Sequence, residues 1–346
     1  MKSWTATSWG TPRQSLILDF SAPIPSLPCN SKSFLLKISH VSLNPADLVL
    51  LKSLPPWLPF RRNPVPGMDF AGEIVAVGDA VPAEMELKEG DKVCGALGLW
   101  DVARGKGTLA EFVVVESSLV AKVPAKWGPK TAAGLMGISG QTAAVMARSV
   151  ASPRGSRGGG WVLVNGATGG VGSVLVQICR GLGAQVVAVC SGENEELVKA
   201  LGATEVIDYR AHEPLEEHLA DVFRGGQLDA IFDCVGSQAL YTNSPRYLKT
   251  HGKFINIVGG WSQGVIPFIR NKLRPLSLGG TPRNYELFLL SASGKAAREV
   301  AAWVEKGVIK GALIDSEFPM EQAIEAFEKL ATGRAKGKIV VNVESS

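Results

Sequence analysis

Apolar positions follow a strand-like spacing up to residue 126 and then switch repeatedly between strand-like and helical spacing. In the first stretch, residues 14–20, 34–41, 73–77, 92–96 and 109–115 are short apolar runs. They are punctuated by the Pro/Ser-rich segment 22–33, Gly78, Gly90-Asp91 and Gly105 to Gly107. Short strands joined by such turns predict a β-rich, barrel-like first domain. An Ala-rich helix is predicted over 131–149, then a Gly/Arg-rich loop over 152–160. Beyond it, predicted strands at 161–165, 185–190, 204–207, 228–233, 253–258 and 275–280 are separated by helical stretches near 193–201, 214–223 and 238–249. That alternation predicts a parallel, doubly wound sheet, so the fold class is α/β with a β-rich domain beside it. The tail predicts helices at 286–306 and 320–331 and a closing strand at 338–343.

The chemistry concentrates at 161–180. Between the first strand of the parallel sheet and a helix marked by Val171, Leu175 and Ile178 lies Ala167-Thr168-Gly169-Gly170-Val171-Gly172. It fits a dinucleotide-binding fingerprint with Ala in the first glycine's place. Gly169 lets the backbone approach a pyrophosphate, Gly172 lets helix and strand pack closely, and the free N–H groups of the helix start face the negative charge. A second apolar strand follows the helix, as a βαβ unit requires. The plainer alternative is a glycine turn that binds nothing.

At 346 residues the chain is long enough for two domains, and 46% hydrophobic with 20% charged residues describes a globular protein with ample core. The net charge of +4 is small and its cations are scattered, so no nucleic-acid or membrane stripe emerges. Five cysteines, odd in number and widely spaced, read as buried thiols in a reducing compartment. The first ten residues lack the features of a secretory or mitochondrial leader, which makes the cytoplasm the expected location.

Several ordered motifs carry a family resemblance: Asn44-Pro45-Ala46-Asp47, Pro66-Gly67-Met68-Asp69-Phe70-Ala71-Gly72, Gly90-Asp91-Lys92-Val93, Gly107-Thr108-Leu109-Ala110-Glu111-Phe112, the glycine turn, and Gly333-Arg334-Ala335-Lys336-Gly337-Lys338. Together they resemble the medium-chain dehydrogenase/reductase superfamily, and within it the zinc-free quinone oxidoreductase (zeta-crystallin-like) branch with its fungal enoyl-reductase relatives. The resemblance implies a GroES-like catalytic domain built from 1–126 plus 286–346, with a Rossmann cofactor domain, 127–285, inserted between. It also implies dimers joined through cofactor-domain sheet edges, for which 275–280 with the preceding 264–273 is the candidate.

Zinc-using relatives carry a cysteine early in the first domain and a Gly-His-Glu stretch after it, whereas this chain has Ser42, Asn44 and Gly67-Met68-Asp69 there. No metal is expected. The four histidines read as ordinary surface or capped residues. What remains is hydride transfer from a nicotinamide to an electron-poor acceptor, such as a quinone or an α,β-unsaturated carbonyl. Asn44 is the candidate for orienting nicotinamide or polarising the substrate oxygen; a turn cap is its alternative. Thr142 is a second candidate for the carboxamide, with a hydroxyl bonded to its own helix as its alternative. Relatives often have a tyrosine soon after the Asn-Pro motif, and Leu48 to Leu50 leave no evident proton donor in that place. Trp57, Phe60 and Trp100 can wall a roomy apolar pocket or pack on their own domain.

An NAD site usually ends its second strand with an acid about 20 positions beyond the glycine turn, and here Cys190-Ser191-Gly192 stands instead. Ser191, Lys199, Tyr209 and Arg210 suit a 2′-phosphate, and the resemblance agrees, so NADPH is the expected cofactor. Glu193 and a capping role for Ser191 weigh against it. Val235 and Val258, near the ends of the next two strands, complete the expected cofactor-binding set with Ala167 to Val171. The expected function is NADPH-dependent reduction of a small apolar quinone or enone. Its rivals are a trans-acting enoyl reductase of a polyketide pathway and a catalytically idle NADPH-binding structural protein.

Overall fold

The computed structural model describes residues 1–61, 63–148, 159–258 and 270–344, without the side chain of Leu276. The polypeptide forms two compact units: Met1–Gln141 with Leu290–Gly307 and Gly311–Ser346, and Thr142–Leu289 with Val308–Lys310.

The first unit is built on a seven-stranded sheet. Its strands run in the order Ile314–Pro319, Lys338–Asn342, Ser33–Ser42, Asp69–Val77, Lys92–Ala96 and Val120–Lys122, and Phe112–Glu116 also pairs with Ser33–Ser42. The inward positions Phe34, Leu36, Ile38, Phe70 and Ile74 are fully or almost fully buried, and Phe327 from the helix Ala323–Ala331 packs into the same core. The C-terminal strand lies antiparallel to Ser33–Ser42, with Val340 opposite Ser42 and Leu43 N–H donating to the Ile339 carbonyl at 3.0 Å. The chain's last strand is thereby placed beside Asn44.

In this unit the structure departs from the expected elements in three places. The expected strand 14–20 begins with a helical turn, Pro12–Ser15, because Pro12 sits at its first position and Thr11 turns its hydroxyl to Gln14 Oε1 at 2.8 Å; only Leu16–Asp19 is strand. The strand expected over 109–115 starts at Phe112, since Leu109 and Ala110 are held by the first strand, Ser3–Ala6. The single helix expected over 131–149 is two, Pro129–Met136 and Ile138–Arg148, broken at Gly137. A carboxylate causes the break. A Cβ on Gly137 would lie 2.2 Å from Asp69 Cγ and 2.4 and 2.6 Å from its oxygens, and Ile138 N–H donates to Asp69 Oδ1 at 2.8 Å. Gly137→Ala should therefore displace a buried carboxylate and lower the unfolding free energy by about 2 kcal/mol. Urea denaturation checks this, and an unchanged midpoint would show that the carboxylate can move aside.

The second unit is a six-stranded sheet in the order Glu205–Asp208, Gln185–Cys190, Trp161–Asn165, Leu228–Asp233, Leu248–Asn256 and Asn284–Leu287, with every pairing parallel. The order reverses at Trp161–Asn165, the topological switch point where such sheets bind ligands. Tyr241, Phe254 and Tyr285 stack edge-on or in parallel within the core. The helix expected over 238–249 is short, Gln238–Thr242, because Pro245 turns the chain and the next strand begins at Leu248. The strand expected at 275–280 is instead a tight turn, Leu276–Leu278, with Gly279 at φ +82°. Among the described residues the edge strand is Asn284–Leu287, and the helix expected from 286 starts only at Gly294, where the Ser293 side chain accepts from Ala296 N–H. Apolar runs in 285–290 fit either period, and pairing with Leu248–Asn256 decides for strand. The expected dimer edge at 275–280 thus has no strand to offer; of the preceding 264–273, residues 264–269 lie outside the described residues, as do 152–158 of the Gly/Arg-rich loop.

Candidate active site

In the first unit a buried polar cluster surrounds Asn44. The residue lies where the strand Ser33–Ser42 gives way to the helix Pro45–Ser53, and its own N–H donates to Asp47 Oδ2 at 2.8 Å. An acid three residues into a helix accepts from the cap residue's amide in this way. Asn44 and Asp47 form a capping box at the helix start, and the Asn44 side chain also reaches into the cluster. Its Oδ1 accepts from Lys338 Nζ at 2.6 Å, and the same ammonium reaches Asp69 Oδ2 at 3.2 Å. Asn44, Asp47, Asp69 and Lys338 are all at most 5% exposed. Asp69 is held on every side: Oδ1 by Ile138 N–H, Oδ2 by Lys338, and its main-chain carbonyl by Thr108 Oγ1 at 2.9 Å.

Burial pushes the Asp47 carboxyl up to about 7, helped by Asp69 and opposed by the Asn44 N–H and Lys338. A carboxyl whose pKa is higher folded than unfolded holds its proton in the folded state while the unfolded chain has already lost it. Folding stability therefore falls as pH rises from about 4 to about 7 and stays at the lower level beyond. Between pH ~5 and ~8, the wild type should lose more unfolding free energy than Asp47→Asn. Equal losses in urea titrations at the two pH values would remove this account of Asp47.

In the second unit the glycine turn has the expected shape. Gly166 sits at φ +79°, Gly169 N–H closes onto the Gly166 carbonyl at 3.0 Å, and the helix Gly170–Gly181 follows. A Cβ on Gly172 would stand 2.2 Å from the Gly166 oxygen, whereas one on Gly169 would have no neighbour closer than that oxygen at 3.4 Å. One glycine therefore serves packing and the other leaves open space, which is the division a pyrophosphate cradle needs. Asp233 supports the turn from the neighbouring strand. It accepts from Asn165 Nδ2 and from the N–H groups of Val235, Gly236 and Ser237, so Val235 is held against Gly166. The Val258 N–H donates to Asn256 Oδ1 at 2.7 Å.

The residues expected around a 2′-phosphate are only partly brought together. Ser191, Tyr209 and Arg210 cluster at the ends of adjacent strands, where Tyr209 N–H reaches the Cys190 carbonyl and Arg210 lies over the Tyr209 ring. Ser191 Oγ accepts from Asn194 Nδ2 at 2.7 Å and donates to Glu193 Oε1 at 3.2 Å. Lys199 is paired instead with Glu195, one helical turn earlier, at 2.6 Å. Thr142 is buried and is the first residue of the second unit. Trp57, Phe60 and Trp100 are 64%, 56% and 75% exposed, and Trp57 meets Trp9 edge-on. All three side chains are largely exposed.

Residues 30–125 match the alcohol dehydrogenase GroES-like domain, and residues 201–341 match the family described as zinc-binding dehydrogenase. A trans-enoyl reductase of Penicillium oxalicum is 32% identical across 99% of this chain and 98% of its own length. The chain belongs to the medium-chain dehydrogenase/reductase superfamily. It falls in the branch of quinone oxidoreductases and fungal trans-enoyl reductases, for a chloroplast envelope quinone oxidoreductase homologue of Arabidopsis thaliana is 34% identical over 92% of each chain. A mycobacterial protein solved with NADPH shares the fold at a TM-score of 0.76 and 24% identity, covering 99% of this chain and all of its own. Membership makes the chain an oxidoreductase with a nicotinamide cofactor, a GroES-like first unit and a Rossmann second unit. No helix of the described residues is long and apolar enough to cross a membrane.

Against this superfamily background, Lys338 is the site residue that sequence reasoning missed. It stands 294 positions from Asn44, and only the antiparallel register of the last strand brings the two together. A signal was available: a lysine opening a strand that continues Ile339-Val340-Val341 is an unusual tenant for a sheet interior. Asp47 carries a signal of its own: an acid three residues after an Asn-Pro helix start marks a capping partner.

Proposed function

We propose that the chain reduces quinones or α,β-unsaturated carbonyls with NADPH and without zinc. The observation that carries this is the Asn44 carboxamide, fixed by Lys338 at its oxygen and by Asp47 at its main-chain N–H. Such an amide offers a neutral donor, Nδ2, to a carbonyl oxygen that gains negative charge. A divalent cation does not fit here. The oxygens it would need, Asn44 Oδ1 and Asp69 Oδ2, are already bound by the Lys338 ammonium, which would repel it.

Bound nicotinamide supplies the hydride in this chemistry. The chain's own residues hold and orient. Main-chain amides from Ala167 to Val171 bind the pyrophosphate, and Val235 and Val258 border the cofactor at the ends of neighbouring strands. Ser191, Tyr209 and Arg210 receive the 2′-phosphate, with Lys199 contributing less because Glu195 holds it. Asn44 and Thr142 address the carboxamide or the substrate oxygen, and Trp57, Phe60 and Trp100 offer apolar surface to the acceptor. Asn284–Leu287, the last strand of its sheet among the described residues, is where a dimer would join, and the free thiols suit a reducing compartment such as the cytoplasm.

A second reading, a trans-acting enoyl reductase, is favoured by the Penicillium relative, and the acceptor would then be an enoyl thioester. One panel tests both: ortho-quinones, simple enones and enoyl thioesters, with NADPH or NADH, with and without a chelator. NADPH should be consumed faster than NADH, and chelation should leave the rate unchanged. Cofactor binding without turnover on any acceptor would support the idle binding protein instead, and one tightly held zinc per chain would overturn the metal-free assignment.

A further inference from the structure

We propose that Lys338 is a positioning residue that sets the orientation of the Asn44 carboxamide; this rests on the reading of Asn44 given above. An ammonium only donates, so the Asn44 atom 2.6 Å from Nζ is the oxygen, and the amide cannot turn over without facing N–H groups to an ammonium. With Oδ1 committed, Nδ2 is directed away from Lys338. Among the described residues it meets the Ser42 carbonyl at 3.4 Å, a long contact, and the Asp47 carboxyl also interacts with the Asn44 side chain; a substrate or cofactor oxygen competes with these for the donor. Asp69 completes the device. Its carboxylate anchors the ammonium at 3.2 Å and is itself fixed by Ile138 N–H, the amide freed where Gly137 breaks the helix.

Stability alone is a weak reason for this arrangement. A lysine only 5% exposed and an aspartate fully buried cost desolvation that their attraction need not repay, and an apolar pair of similar size often does as well. An amide held in one of two orientations is a reason with a catalytic consequence, since a misdirected donor loses a large part of its effect.

The test removes both charges together. Lys338→Met/Asp69→Asn removes the buried ammonium and its paired carboxylate together, and its melting temperature should stay within a few degrees of the wild type. Its kcat for NADPH oxidation by phenanthrenequinone should fall at least about tenfold, with the NADPH KM changed less than about twofold. Lys338→Gln/Asp69→Asn, which still donates to Asn44 Oδ1, should recover most of the lost kcat. A cofactor-free readout accompanies these rates. With isotope-labelled asparagine, the side-chain NH₂ signal of Asn44, assigned by its loss in Asn44→Ala, should be dispersed and slow to exchange in the wild type. In the Met variant it should collapse to the position of a freely rotating amide.

Wild-type kcat and an unchanged Asn44 signal in the Met variant would overturn the proposal. Recovery by the Gln variant no better than by the Met variant would also count against it. Should Asn44→Ala itself retain wild-type kcat, the reading of Asn44 is wrong; should it lose activity while the Met variant does not, only the role of Lys338 is.

Discussion

Gly172→Ala is expected to weaken nicotinamide cofactor binding by on the order of 10²-fold or more, about 3 kcal/mol. The new Cβ would lie 2.2 Å from the Gly166 oxygen, 2.9 Å from its carbonyl carbon and 3.0 Å from Ala167 Cα. All three are backbone atoms, so no side chain can swing aside. Gly166 is already at φ +79° and tied to Gly169 N–H, which leaves the turn little freedom to yield. Relief requires the helix Gly170–Gly181 to move off the strand, and its first-turn N–H groups move with it. Those groups are the proposed anion site. Gly169→Ala is the informative contrast. Its Cβ meets nothing closer than 3.4 Å in the protein, so the melting temperature should hold while the added methyl group fills the space left for a pyrophosphate. Titration calorimetry with NADPH measures both, and wild-type affinity in Gly172→Ala would detach this turn from cofactor binding.

How far the sequence could be read depended on the range of the interactions involved. The glycine turn was legible because strand, turn and helix are contiguous, and each small residue answers to a clash or an opening within a few positions of itself. The strands 228–233 and 92–96 were legible for the same reason: apolar runs bounded by turn residues have one reading. Residues 285–290 were not, since a short apolar run fits a strand or a helix turn equally, and the partner that decides, Leu248–Asn256, comes from elsewhere in the chain. The break at Gly137 was hidden more deeply. Nothing near 131–149 announces it, because the group that forbids a side chain there belongs to Asp69.

The same distinction separates the two halves of the candidate site. Asn44 could be singled out from its motif, yet its partner Lys338 is set by the register of the closing strand, and sequence spacing carries no register. Around the 2′-phosphate, Lys199 looked suitable by position along the chain. In the folded helix its ammonium is one turn from Glu195 and pairs with it at 2.6 Å.

Asn44→Ala should lower kcat by on the order of 10²-fold, the loss found when a preorganised donor to a developing oxyanion is removed. Two effects are combined in that variant, and they can be separated. Removing the carboxamide deletes the Nδ2 donor, and it also strips Lys338 of the oxygen 2.6 Å from its ammonium, leaving Asp69 as its one charged partner. The second effect lowers stability in the first unit and has no reason to depend on substrate. The first appears only when an acceptor is being reduced. The melting temperature should therefore drop whether or not cofactor is present, and the affinity for NADPH, governed largely by the second unit, should change little. The loss should fall on kcat more than on the acceptor's KM, because the donor matters most when negative charge has built up on the carbonyl oxygen. Asn44→Asp sharpens the comparison: an ionised carboxylate keeps an oxygen on Lys338 but offers no N–H to the substrate. If Asn44→Asp matched the wild type in kcat, donation from Nδ2 would not be part of the reaction, and the buried cluster would be serving the fold alone.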